Sequence, residues 1–282
     1  MERDSADPRT DLGFAGMALS AVYLLAALWF GGADAFPSLA LPFLATAAFA
    51  LWTLLGRSAP LRLLEAGWPL LMWPFLYMGA VQVVEHVPWT FDPLVARLDR
   101  TLLGPLQWQL GGPMEELANL IYVSYYVVVP AGFFWLWTTG RRARAAAYTA
   151  ALLMAFLACA VVWLVIPAGG PHPTGAPVSE PFGPFTALMR AVYAANPHHV
   201  AALPSSHVAL ATAATVVAVR SGAPRLGLIW PLAIGWATIF GQYHFMVDTP
   251  PALVVGVLSA SFAMRPRART VGWVPAIVIR ER

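Results

Sequence analysis

The stretch Pro204-Ser205-Ser206-His207-Val208-Ala209-Leu210-Ala211-Thr212-Ala213-Ala214-Thr215-Val216-Val217-Ala218-Val219-Arg220 reads as a helix entering an apolar environment. Ser205 is a natural N-cap, because a serine oxygen accepts from a backbone N–H of the first turn. The run from Val208 to Val219 carries no charge, and Arg220 closes it. Outward from this stretch lie further apolar runs, at about Leu12–Phe30, Phe36–Leu55, Gly67–Val87, Leu117–Trp137, Ala145–Ile166, Leu226–Tyr243 and Pro250–Met264, with Ser205–Val219 itself the sixth in order. A helix needs roughly 20 residues to cross a hydrocarbon core of about 30 Å. The pattern therefore predicts an all-α, polytopic membrane helix bundle of about eight transmembrane helices.

Composition agrees with that reading. Of 282 residues, 59% are hydrophobic and 11% charged, whereas charged residues make up about a quarter of soluble domains. The formal net charge is +3, and every one of the 17 basic residues counted as lysine or arginine is an arginine. Those arginines are scattered among loops and form no dense patch, which argues against nucleic acid as a partner. The single cysteine, Cys159, lies in an apolar run and excludes an internal disulfide. The first run follows a mixed-charge stretch and leads into Gly31-Gly32-Ala33-Asp34, so it reads as a retained span and not as a cleaved signal peptide.

Cytoplasmic loops carry an excess of arginine and lysine. Arg57 and Arg62 follow the second span, Arg141, Arg142 and Arg144 the fourth, Arg220 and Arg225 the sixth, and Arg265, Arg267 and Arg269 the eighth. Threading eight helices alternately puts all of these on one side, with both termini cytoplasmic. The expected location is a plasma or inner membrane. The opposite, external or periplasmic face then carries two long connections rich in proline and glycine, Pro88–Glu116 and Pro167–Pro204.

Between Glu180 and Glu281 the only carboxylate is Asp248, and an ionisable side chain at membrane depth is a functional hypothesis by default. His244 stands four positions before it, on the same face of a helical turn, where a carboxylate fixes an imidazole tautomer. His207 stands 37 positions before His244. Two spans of about 17 residues, at about 1.5 Å per residue, go across and return, so the two histidines share the external face. The free N–H groups beyond Ser205, in the turn containing Ser206, form an anion site at the positive helix end. A phosphate there would have a nucleophile in His244, an orienting carboxylate in Asp248 and an acid in His207.

These motifs, Pro204-Ser205-Ser206-His207 and His244-Phe245-Met246-Val247-Asp248, resemble the type 2 phosphatidic acid phosphatase and vanadium haloperoxidase superfamily over roughly Ala145–Met264. The resemblance implies a six-helix-type phosphatase core and a phosphohistidine on His244. It further implies Asp248 as its orienting group, His207 as proton donor, and neither metal nor other cofactor. The core is then residues 66–264, preceded by a cytoplasmic N-terminus and two additional helices (1–65) and followed by a cytoplasmic tail (265–282). Two departures are visible. The family's first motif, Lys-x6-Arg-Pro, is replaced by Ile166-Pro167-Ala168-Gly169-Gly170-Pro171-His172-Pro173, with His172 where an arginine often stands. The Ser-Arg that usually precedes the last histidine is also missing, with Ala237-Thr238 in that register. These absences look like the branch that includes inositol phosphorylceramide synthases, as do Asp99-Arg100-Thr101-Leu102-Leu103-Gly104-Pro105 and Tyr122-Val123-Ser124-Tyr125-Tyr126.

The missing basic residues leave His172 and Arg190 as the side chains to grip phosphate, beside Ser205 and Ser206. Gly-Pro-His-Pro also reads as a plain turn, and Arg190 as a headgroup contact. His86, near Gln82 and Glu85, and the pair His198-His199 read as structural, and the tryptophans as interfacial anchors. The expected activity is lipid phosphate hydrolysis or phosphotransfer, on a lipid phosphate or phospholipid substrate, with membrane lipids as surroundings and protein partners unspecified. Other readings of the cluster are a metal site and a proton-coupled transporter. A CDP-alcohol phosphotransferase would need closely spaced aspartates, which the chain lacks.

Overall fold

The computed structural model describes residues 83–103, 112–171, 182–195 and 201–265, together with isolated positions between 67 and 81. The two N-terminal spans, the tail, Gln82, His172 and the His198-His199 pair lie outside the described residues. The third span is described in part: it is helical at each described position from Gly67 to Glu85, and Leu76, Ala80, Val81, Val83 and Val84 are buried in the main core.

The elements that follow are α1 (Asp92–Leu103), α2 (Pro113–Thr138), α3 (Arg142–Val165), α4 (Pro184–Ala195), α5 (Ser206–Arg220), α6 (Ile229–Phe240) and α7 (Thr249–Ala263). A 3-10 turn, Arg225–Leu228, leads into α6, and another, Met246–Asp248, leads into α7. Among the described residues, the helices long and apolar enough to cross a membrane are Pro113–Thr138, Arg142–Val165 and the continuous Met246–Ala263, while Ser206–Arg220 and Arg225–Phe240 are shorter apolar helices. At about 1.5 Å per residue, α2 is about 39 Å long and α5 only about 22 Å.

The short α5 is the centre of the bundle. Val208, Ala209, Leu210, Ala211, Ala213, Ala214 and Val217 are all buried, and α3, α6 and α7 pack around them. Its small side chains let neighbouring backbones approach closely. At Gly256 of α7, a Cβ would stand 2.5 Å from both the Ala209 carbonyl oxygen and the Thr212 Cβ. Cys159 of α3 is buried in the same core. Tyr148 donates to the Val129 carbonyl at 2.8 Å and ties α3 to α2.

The two ends of the bundle differ in chemistry. Arg141, Arg142, Arg220, Arg225 and Arg265 share one end: Arg220 donates to Ser261 Oγ at 3.4 Å, and Arg141 Nη2 lies 3.8 Å from the Cβ position of Gly222 in the turn after α5. Arg141 and Arg142 also cover Trp135 and Trp137 at 5.0 and 5.4 Å. The start of α2, the end of α3, the start of α5 and the α6–α7 turn form the other end.

The two long connections at that second end are not irregular throughout. Each carries an amphipathic helix, α1 or α4, with Leu94, Leu98 and Leu102 exposed along one and Leu188 and Val192 along the other. Arg190 therefore stands on a helix, not in a loop. Spacing of four between apolar residues signals these helices, and the surrounding prolines and glycines obscure it.

Candidate active site

Backbone geometry at the start of α5 is set before any side chain of the site is considered. Ser205 is extended (φ −64°, ψ 111°), and its Oγ accepts from Val208 N at 3.4 Å, so the serine caps α5 as its position predicts. Trp163 Nε1 donates to the Pro204 carbonyl at 3.2 Å, and Ser205 N donates to the Asp248 carbonyl at 3.3 Å. The second of these bonds joins the two motifs directly.

The His244–Asp248 segment is not an α-helical turn. Phe245 is extended (φ −71°, ψ 153°) and is followed by the 3-10 turn, with Asp248 N donating to the Phe245 carbonyl at 3.1 Å. The spacing of four nevertheless brings the side chains together. Asp248 Oδ2 accepts from Phe245 N at 2.9 Å and lies 3.2 Å from His244 Nδ1. Asp248 is fully buried and His244 nearly so. A carboxylate on Nδ1 fixes the tautomer with its proton there and leaves the Nε2 lone pair as the reactive one.

His207 faces this pair across 6.2 Å between ring centroids. Its Nε2 lies 2.9 Å from the Tyr122 hydroxyl and 3.3 Å from that of Tyr126, while its Nδ1 is buried with no hydrogen-bond partner among the described residues. Tyr122 and Tyr126 sit one turn apart on α2, so one helical face delivers both phenols. Among the described residues no three His, Cys, Asp or Glu side chains converge as ligands for a metal.

A second polar layer connects α2, α4 and the residue before His244. Tyr243 donates to Asn119 Oδ1 at 2.8 Å, and Asn119 Nδ2 donates to Thr186 Oγ1 at 3.2 Å. Glu116 accepts from Phe185 N, Thr186 N and Thr186 Oγ1 at 2.8, 2.9 and 2.7 Å. A carboxylate from α2 thus caps the first turn of α4, satisfying N–H groups that have no partner within the helix. Arg190, one face further along α4, pairs with Glu115 at 3.5 Å through Nη2. That distance exceeds a good hydrogen bond, and both Nε and Nη2 are buried without one among the described residues. Glu115 stands in the first turn of α2, so the pair holds Arg190 at the same end of the bundle as His244.

The segment Pro167–Pro171 lies against the same turn. A Cβ on Gly170 would overlap the Tyr243 carbonyl oxygen at 2.3 Å, so only glycine fits there. Asp92 accepts from Gly169 N, Phe91 N donates to the Pro167 carbonyl at 2.8 Å, and Asp99 Oδ1 accepts from Val247 N at 3.2 Å. The segment read as a loosened first motif therefore packs beside His244, and α1 holds both it and the His244–Asp248 turn. Ser205, Ser206, His207, His244, Asp248 and Arg190 are gathered at this end of the bundle; His172, just beyond Pro171, is outside the described residues. Spacing did not reveal Tyr122 and Tyr126 as partners of His207, nor Glu116 and Asn119 as supports. The segment Tyr122–Tyr126 stands out only by its likeness to a branch of the family, and Glu116 and Asn119 only as polar residues at the start of an apolar span.

A helical membrane protein with a buried His–Asp pair, set opposite a second histidine at the start of its central helix, is the class that the fold and site define. The chain belongs to the PAP2 superfamily: the family model of that description matches residues 95–266. That range takes in most of α1, all of α2 through α7 and both motifs. Membership points to an activity of the phosphatase or phosphotransferase type. No curated protein and no solved structure matches the chain.

Proposed function

We propose that this protein cleaves a lipid phosphate ester, without a metal, through a phosphohistidine on His244, and passes the phosphoryl group to water or an alcohol. The observation that carries the reading is the Asp248-bound His244 set 6.2 Å, ring to ring, from His207 at the start of α5. The Nε2 lone pair of His244 attacks phosphorus. The ester P–O bond breaks with its electron pair on the leaving oxygen, which takes a proton from protonated His207. Asp248 balances the charge of the phosphorylated imidazole. Neutral His207 then removes a proton from the water or alcohol whose oxygen attacks phosphorus, and the P–N electron pair returns to His244. Hydrolysis and transfer share the first half of this sequence.

The equatorial oxygens need neutralising donors. In this reading they come from the backbone N–H groups of the Ser205-Ser206 turn, from Arg190 and from His172. A lipid substrate suits a site flanked by helices whose leucines face outward. The arginine-rich loops at the opposite end favour an external or periplasmic site in a plasma or inner membrane. The absent lysine favours the inositol phosphorylceramide synthase-like branch, in which the acceptor is a lipid or polyol hydroxyl.

The test is purified enzyme incubated with lipid monophosphates and phosphodiesters, with and without alcohols, following free phosphate, new lipid and acid-labile phosphoenzyme. Wild type is expected to form phosphoenzyme in the presence of a chelator, and His244→Ala is expected to form none. Equal labelling of both proteins, or activity that EDTA removes and a divalent ion restores, overturns the mechanism.

A further inference from the structure

A histidine that gives up a proton in one half-reaction and takes it back in the other needs one nitrogen held and one nitrogen available. At His207 the two nitrogens differ sharply. Nε2 faces the Tyr122 hydroxyl at 2.9 Å and the Tyr126 hydroxyl at 3.3 Å, and Nδ1 is buried with no hydrogen-bond partner among the described residues. The phenol rings also brace the imidazole: centroids of Tyr122 and Tyr125 each lie 4.8 Å from it, and Tyr122 in turn packs, tilted, against Tyr243 at 4.7 Å. The ring is thus held by edge and by face, and only the Nδ1 edge lacks a bond.

We propose that Tyr122, assisted by Tyr126, is the positioning residue of His207, keeping the Nε2 proton bonded to phenol oxygen so that Nδ1 is the atom that moves protons. The inference rests on the proposed phosphoryl transfer for its role, though the hydrogen-bond assignment stands apart from it. In the imidazolium form, Nε2–H donates to Tyr122 and Nδ1–H is the proton given to the leaving oxygen. What remains is the neutral Nε2–H tautomer, whose Nδ1 lone pair then accepts the proton of the attacking water or alcohol. Without the phenols, a neutral histidine in water divides between two tautomers, and only one leaves the Nδ1 lone pair free. Among the described residues, the titratable groups facing His207 are Tyr122, Tyr125 and Tyr126 of α2 and His244 of the α6–α7 turn, with the carboxylate of Asp248 behind His244.

The experiment is nitrogen-15 NMR of the full chain labelled at histidine, with the His207 signal assigned by its loss in His207→Asn, combined with steady-state kinetics. Wild-type His207, when neutral, is expected as the Nε2–H tautomer; an Nδ1–H signal overturns the proposal before any tyrosine is changed. In Tyr122→Phe, which keeps the ring contacts, the signal should move toward a tautomer mixture, further in the Tyr122→Phe/Tyr126→Phe pair. Turnover should fall roughly tenfold or more, within the range general acid–base groups contribute. The loss is expected in kcat with KM little changed, and the limb of the pH profile belonging to His207 is expected to shift. An unchanged tautomer and pH limb in the double variant refute the positioning role. A chain that shows the tautomer shift yet turns over no phosphate ester refutes the proposed function and leaves the phenol–imidazole assignment intact.

Discussion

Replacing Asp248 by asparagine is the sharpest perturbation of the centre, because it removes charge while keeping shape. Asp248 Oδ2 both accepts from Phe245 N and faces His244 Nδ1. Asparagine keeps both with its amide oxygen in the Oδ2 place, and its N–H₂ takes the Oδ1 place, where no hydrogen-bond partner stands among the described residues. The turn and the Nδ1–H tautomer are then preserved, and the variant removes the negative charge alone. A hydrogen bond to a charged group contributes about 1.5–3 kcal/mol, and the charge on the phosphorylated ring is no longer balanced. We expect Asp248→Asn to slow phosphoenzyme formation by roughly 10- to 150-fold, the rate equivalent of about 1.5–3 kcal/mol. Quenched-flow labelling on a short-chain lipid phosphate reads that step directly, and a thermal melt checks the fold. A folded Asp248→Asn protein that labels within fivefold of wild type would refute the assignment of Asp248 as the group that sets His244.

The other expectations concern the surroundings of that centre. Arg190→Ala should lower kcat/KM by roughly a hundredfold, a loss typical of one preorganised donor, and Arg190→Lys should recover only part of it because an ammonium lacks the planar fork; wild-type kinetics in both would assign the phosphate grip elsewhere. Glu116→Gln should raise amide exchange at Phe185 and Thr186, which it now binds, and unchanged protection there would mean that α4 does not depend on this cap. Gly256→Ala should destabilise the bundle by about 1–3 kcal/mol, the usual cost of overpacking, and an unshifted melting curve would show that α5 and α7 can part easily. In a Cys159→Ala background, cysteine at the exposed Pro88 should react with an impermeant maleimide in intact cells, and cysteine at the exposed Pro224 only after permeabilisation; the reverse pattern inverts the topology.

Much of this architecture was legible because it is local. The uncharged run after Ser205 gives α5 within a residue at either end, and the apolar runs at Leu117–Trp137 and Ala145–Ile166 lie within a few residues of α2 and α3. Arginine positions foretold that the turns after α2, α5 and α7 share one end. Capping by Ser205 and the His244–Asp248 contact follow from near neighbours in the chain. The spacing of the last two predicts a helical turn, and spacing alone does not separate that from an extended residue followed by a 3-10 turn. Other features depend on contacts across long separations and leave no periodic trace. Tyr122 meets His207 over 85 positions, Glu116 meets Phe185 over 69, and Asp99 meets Val247 over 148. Neither partner is recognisable until the helices are packed.

The carboxylates at the histidine end show how an irregular backbone is held beside a reactive centre. Asp92 takes the N–H of Gly169, Asp99 that of Val247, Glu116 those of Phe185 and Thr186, and Asp248 that of Phe245. Backbone donors in turns that border a membrane have neither a helix nor reliable water to satisfy them. Here each of these acids binds a chain segment that no ladder could hold. Glu115 differs, since it faces Arg190 at 3.5 Å and the guanidinium keeps donors that have no hydrogen bond among the described residues. At 3.5 Å the pair is too long for a good hydrogen bond, so Glu115 leaves part of the guanidinium's donor capacity unused. A phosphate oxygen offers the same guanidinium shorter, paired hydrogen bonds. If Arg190 takes the substrate, Glu115 is the ligand it leaves, and the exchange moves one negative charge out of the fork as another enters. That balance matters in a site already ringed by acids, where a phosphate arriving without a cation released to meet it would be repelled.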